Sequence, residues 1–155
     1  RDRIEALIRD ARGCGAAIER GGEAPTDGYF CSPAIASEVD PRAGIARDEI
    51  FGPVLTVEAV PDIETACDLV DQLPYALTGA LFSRNPDTIA AVSRRTPVGN
   101  LYVNRATTGA MVGRQPFGGN RLSGTGTKAG GPDYLLHFVE PVVVTENTVR
   151  HGLAP

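Results

Sequence analysis

Three cysteines, two histidines and a lysine behind a glycine cluster are the obvious chemical groups in this chain of 155 residues, and none has the spacing of a site. Cys14, Cys31 and Cys67 are odd in number and far apart, with no C-x-x-C or C-x-x-H grouping for a metal or a disulfide framework. Cys67 shares a helical face with Ile63, Ala66 and Val70, which makes it a small core residue rather than a nucleophile. His137 and His151 lack a carboxylate or cysteine at ligand spacing, so no metal site is expected. Between Leu136 and Phe138, His137 reads as a strand residue. Ser123 and Thr125 have no base nearby in sequence and lie outside a G-x-S-x-G elbow.

The most unusual stretch is "TTGAMVGRQPFGGNRLSGTGTKAGG", residues 107–131, which holds eight of the 18 glycines. Its "GTGTK", residues 124–128, imitates a nucleotide-binding loop without meeting its rule. A phosphate cradle needs G-x-x-x-x-G-K-[ST], yet from Gly119 that spacing delivers Gly124 followed by Thr125. The dinucleotide pattern G-x-G-x-x-G fails as well, because Gly124 and Gly126 are followed by Ala129 where the last glycine belongs.

The surrounding elements say where such a loop sits. Ile4, Leu7, Ile8 and Ala11 trace one face of a helix that ends near Gly13. "AAIER" and "GYFCSPAIA" read as strands, and "FGPVLTVEAV" as a mostly buried strand. "IETACDLVDQL" and "NPDTIAAVSRR" read as helices, the second with Pro86 in its first turn and Asp87 near its positive end. With strands at "LTGALFS" and "VGNLYVN", strand and helix alternate as in a parallel α/β sheet. The glycine-rich stretch follows Asn104, where a sheet of that class places its ligand-binding loops. "YLLHFVEPVVVTENTV" then reads as extended chain broken by Pro141, and residues 142–149 are apolar enough to require a partner strand, such as one from a neighbouring subunit.

Composition narrows the class. An apolar fraction of 42%, 22% charged residues and a net charge of −4 describe a globular chain with no general polyanion-binding surface, so nucleic acid is not an expected partner. No apolar run approaches the roughly 20 residues of a membrane span. The unpaired cysteines suit a reducing cytoplasm or organelle matrix. Opening without Met and directly in a helical pattern, the chain reads as a piece of something longer.

Two stretches are more specific than any of these. "DEIFGPVLTV", residues 48–57, and "GNLYVNRATTGAMVGRQPFGGNRLSGTGTKAGGPDYL", residues 99–135, together resemble the carboxyl-terminal part of the NAD(P)-dependent aldehyde dehydrogenase superfamily. "TGAMVGRQPFGG" followed by "KAGGPDYL" is similar more narrowly to the L-glutamate γ-semialdehyde dehydrogenases, also called 1-pyrroline-5-carboxylate dehydrogenases. The ending "TENTVRHGLAP" fits these too, including forms fused behind a proline dehydrogenase. The resemblance implies an α/β fold, with residues 1–138 as the later part of the catalytic domain, a parallel sheet with flanking helices. Residues 139–155 would be an oligomerisation flap strand and tail. Implied partners are the rest of its own chain, further copies in a homo-oligomer, and the small molecule L-glutamate γ-semialdehyde from proline breakdown.

In that family a cysteine attacks the aldehyde carbon, hydride passes to NAD, and water hydrolyses the resulting thioester, with a glutamate as general base. Both groups lie upstream of the E-I-F-G-P motif by more than the 48 residues that precede Glu49, and Cys14, Cys31 and Cys67 stand outside the nucleophile's motif. No catalytic residue is therefore expected here, and the chain as given should be inactive. Glu49 matches the glutamate that binds the nicotinamide ribose through paired hydrogen bonds. Phe51, two residues on and on the same side of an extended chain, matches the aromatic near the nicotinamide ring. Gly109 and Ala110 match the loop whose backbone amides anchor the substrate's α-carboxylate, and Phe117 the aromatic wall about its aliphatic part. Ala110 replaces a serine found in many relatives, leaving only the backbone contact. Arg114, Arg121 and Lys128 are expected to be solvated or intersubunit. Two other readings are another aldehyde dehydrogenase subclass and a non-catalytic assembly module.

Overall fold

The computed structural model describes residues 1–149. Helix α1 spans Asp2–Gly13, with Asp2 and Glu5 in its first turn and Arg12 in its last, charges that complement the helix dipole. It buries Ile8 and Ala11 against a three-stranded sheet of β1 (Ala17–Arg20), β2 (Ala34–Ser37) and β3 (Val54–Val57). β1 runs antiparallel to β2, and β2 parallel to β3. The core is small: Ala34 and the fully buried Ala36 of β2 share one buried cluster with Ile8 and Ala11 of α1, Ala16, Val39 and Ile45. Ile45 comes from α2 (Gly44–Arg47), a single helical turn that sequence periodicity did not signal.

α3 (Ile63–Asp71) begins where the Asp62 carboxylate accepts from the Thr65 N–H at 2.8 Å, an N-cap. β4 (Tyr75–Ala76), β5 (Thr78–Leu81), α4 (Pro86–Arg95), β6 (Asn100–Val103) and β7 (Asn120–Arg121) follow. α4 has the expected Pro at its start and an Asn85 cap that accepts from the Asp87 N–H at 2.9 Å. β5 and β6 pair in parallel from Thr78↔Asn100 to Leu81↔Val103, with α4 as the crossover, and β4 pairs antiparallel with β7. Arg95 on α4 meets a stripe of acids one helical turn apart on α3, bonding Glu64 at 2.7 Å and Asp68 more closely. Its guanidinium is held above its ordinary value, chiefly by the Asp68 carboxylate.

The α/β class is as expected, but three details differ. β3 lies at the rim of its sheet, and Leu55 and Val57 are exposed rather than buried. β3 and β5 belong to separate sheets, so the parallel pairs β2–β3 and β5–β6 do not form one continuous sheet. Residues 134–138, read as strand, form a 3-10 turn (Tyr134–Phe138) in which Tyr134 stacks edge-on against Phe138 and His137 bonds the Thr127 hydroxyl. A local i to i+3 turn with its own aromatic contact outweighs β propensity where no neighbouring strand is in reach. Residues 139–149 carry no helix or strand, and Val142, Val143 and Val144 are more than four-fifths exposed. His151 and the rest of the expected flap segment lie outside the described residues.

Candidate functional site

The predicted residues occupy two loops. Glu49 and Phe51 lie between α2 and β3 of the three-stranded sheet; Gly109, Ala110 and Phe117 lie after β6 of the β5–β6 pair. No hydrogen bond joins the two groups among the described residues.

Glu49 is exposed, and Phe51 is 89% exposed with φ of +54°, a left-handed conformation that costs a bulky aromatic energy. The turn is held from outside: Arg3 donates to the carbonyl of Glu49 at 2.7 Å and to that of Ile50 at 2.9 Å. Behind it, Gly52 faces Ile4 so closely that a side chain there would overlap it. Phe51 is therefore not part of an extended chain, and the period-two argument for placing it beside Glu49 fails. What the turn offers is an exposed carboxylate and an exposed aromatic ring on a braced backbone. That acceptor and apolar surface suit a ribose with two hydroxyls and a planar ring, so these residues fit a nicotinamide nucleotide.

The second loop begins where Asn104, itself left-handed at φ +54°, ends β6 and spans to Ser83 with a reciprocal pair of 2.9 Å bonds. Gly109 has φ of +116°, a region open to glycine, and it and Ala110 are exposed. Neither residue's N–H has an acceptor among the described residues. Two adjacent backbone N–H groups without acceptors are able to donate to an anion. Residues 111–115 close a hairpin through two Met111–Gln115 bonds of 2.8 and 2.7 Å, and Phe117 pairs antiparallel with Ala129. Asn100, at the start of β6, sets the approach to Phe117. Its amide donates to the Pro116 carbonyl at 2.9 Å and accepts from the Gly118 N–H at 3.1 Å, gripping the backbone on both sides of the half-buried ring.

Three glycines in and before the loop serve close backbone packing. A Cβ at Gly99 would fall on the Gly118 carbonyl, one at Gly118 on that of Thr127, and one at Gly119 within 2.6 Å of Ser123. Arg121 is exposed, yet it also donates to the carbonyls of Asp71 at 2.9 Å and Leu73 at 2.6 Å, closing the carboxyl end of α3. Lys128 donates within its own loop, to Gly126 at 2.9 Å, whereas Arg114 is exposed as expected. Sequence reasoning missed Arg3, Asn100, Arg105 and Gln115, whose side chains hold the two loops in shape. Cys67, expected in the core, is only half-buried, and with Ile63, Val70, Val92 and Leu101 it lines an open apolar cleft of about 440 Å³. Among the described residues no group of three His, Cys, Asp or Glu is placed to hold a metal, and no helix is long and apolar enough to cross a membrane.

A mixed three-stranded sheet and a separate parallel strand pair with flanking helices, a braced carboxylate–aromatic turn and a glycine-rich loop define the class. The chain matches the aldehyde dehydrogenase family over residues 1–144 and belongs to that family. It is 41% identical over 145 residues to a 1-pyrroline-5-carboxylate dehydrogenase of Oceanobacillus iheyensis, covering 94% of this chain and 28% of that one. To the enzyme of the same name from a Geobacillus species it is 45% identical over 127 residues, covering 81% and 25%. Among solved structures it resembles proline utilization A from Bdellovibrio bacteriovorus, inactivated by N-propargylglycine, at a TM-score of 0.83 and 47% identity over 99% of this chain and 16% of that one. It also resembles 1-pyrroline-5-carboxylate dehydrogenase from Thermus with bound NAD, at 0.79 and 41% over 90% and 28%. The chain thus spans about a quarter of the length of the curated relatives it matches.

Proposed function

We propose that this chain is the carboxyl-terminal portion of an NAD-dependent L-glutamate γ-semialdehyde dehydrogenase, which oxidises the semialdehyde derived from 1-pyrroline-5-carboxylate to L-glutamate. The observation that carries the reading is the pair of free N–H groups at Gly109 and Ala110, on a left-handed turn, in a chain 41% identical to a 1-pyrroline-5-carboxylate dehydrogenase. Those amides receive the substrate's α-carboxylate, and Ala110 adds no side chain to obstruct it. Phe117, gripped through Asn100, packs against the aliphatic carbons between carboxylate and aldehyde. Glu49 accepts hydrogen bonds from the nicotinamide ribose and Phe51 packs beside the ring. NAD, when bound, supplies the hydride acceptor.

Residues 1–138 complete the catalytic domain, and residues 139–155 form a flap strand that pairs with another subunit. The exposed valines at 142–144 support such a partner. The attacking thiolate and general base belong to the rest of the protein, and the three free cysteines accord with a cytoplasmic location.

The test is to compare the complete protein with the purified 155-residue chain. The complete protein is expected to reduce NAD with L-glutamate γ-semialdehyde in preference to propanal, and the isolated chain to do neither. Preference for simple aldehydes would favour another subclass. A complete protein that oxidises no aldehyde would favour an assembly module.

A further inference from the structure

The free amides of Gly109 and Ala110 can meet an anion only if the peptides carrying them stay fixed, and an exposed loop with a left-handed glycine does not stay fixed unaided. Two side chains hold it. Arg105 donates from Nη2 to the Thr108 carbonyl at 3.1 Å. The Gln115 amide, turned so that both its atoms find partners, accepts from Arg105 Nη1 at 2.8 Å and donates to the Gly109 carbonyl. The guanidinium lies over the Tyr102 ring, 5.5 Å from its centroid, on a residue that is 6% exposed.

We infer that Arg105 and Gln115 are positioning residues for substrate selectivity, a bracket that ties down the carbonyls of Thr108 and Gly109 so that the amides of Gly109 and Ala110 face outward to the α-carboxylate. The inference rests on the substrate reading above. Each peptide unit is planar, so fixing the carbonyls of Thr108 and Gly109 fixes the N–H groups of Gly109 and Ala110, the two donors in question. Gly109 is part of the bracket for a second reason: a Cβ there would stand 2.7 Å from Arg105 Nη2 and 3.3 Å from the Gln115 amide, forcing the two apart. Arg105 fits this place better than lysine would. Its planar fork reaches two acceptors at once while stacking on the aromatic ring, whereas an ammonium provides neither the fork nor the stack.

The test uses the complete enzyme and the ratio of kcat/KM for L-glutamate γ-semialdehyde to that for propanal, which has no α-carboxylate. Arg105→Met and Gln115→Met are each expected to lower that ratio about 10- to 100-fold, mostly through KM for the semialdehyde, as loss of hydrogen bonds to a charged group predicts. Arg105→Lys should recover only part of the loss. A merely structural role would depress both substrates together and leave the ratio in place, which would overturn the proposal. If Arg105→Met does not fold, Gln115→Met, which removes only the neutral half of the bracket, carries the same comparison. A wild-type enzyme without preference for the semialdehyde would remove the substrate reading and the bracket's purpose with it. A selective wild type with unmoved variants would overturn the bracket alone.

Discussion

Arg3, on the first turn of α1, bonds the backbone carbonyl of Glu49 at 2.7 Å across 46 residues of sequence, and thereby braces the turn that presents Phe51. If Glu49 and Phe51 bind NAD, the brace belongs to the cofactor site although it never touches the cofactor. Arg3→Met in the complete enzyme is expected to raise KM for NAD about fivefold, the factor carried by roughly 1 kcal/mol of lost hydrogen bonding. KM for the aldehyde should move less. Steady-state kinetics with NAD varied checks this, and an unchanged KM for NAD would detach Arg3 from the site.

Gly119 sits where the backbone folds back on itself, and an added methyl group would meet Ser123 at 2.6 Å on both its Cβ and its carbonyl oxygen. Neither is the free end of a flexible side chain. Gly119→Ala should therefore destabilise the protein by about 1–3 kcal/mol, the usual cost of overpacking a filled site. Thermal melting measures it, and a midpoint equal to wild type would show that the loop relaxes.

The Tyr102 hydroxyl is buried without a hydrogen-bond partner among the described residues. A buried donor with no acceptor is costly, so Tyr102→Phe keeps the ring under Arg105 and removes the cost. The expected result is a melting temperature equal to or above wild type; a fall would mean that the hydroxyl has a partner in the complete protein.

Glu5 on α1 bonds Arg20 on β1, and that bond holds its carboxyl below the ordinary 4.5. A carboxyl with a lowered folded value stabilises the protein above its unfolded value and loses that contribution as pH falls through the folded one. Stability should therefore decline as pH drops below about 4.5, the ordinary value, and Glu5→Gln should flatten this part of the curve. The effect is modest, because both side chains remain about a quarter to a third exposed. Urea midpoints across that interval, for both forms, provide the check.

Helices α1, α3 and α4 and strands β1, β5 and β6 were legible from the chain alone, because each is specified by residues within a few positions of one another. Ile8 and Ala11, one turn apart, announce a buried face; Pro86 and Asp87 announce a helix start. The motif runs at residues 48–57 and 99–135 were legible in the same way, and they sufficed to identify the family.

Other features depended on partners distant in sequence or on the absence of a partner. β3 has the composition of a buried strand, yet its place at the rim of a sheet exposes Leu55 and Val57. Phe51 does not alternate with Glu49 because its backbone is left-handed, a state that Arg3 supports and no local propensity predicts. Arg105 and Gln115 are ten residues apart in a loop without periodicity, so nothing in their spacing says that they meet. Local hydrogen-bonding and hydrophobic patterns write the helices and the motif into the chain. The contact of Arg105 with Gln115, the grip on Phe117 and the close approach of Gly99 to Gly118 exist only once groups distant along the chain come within bonding distance.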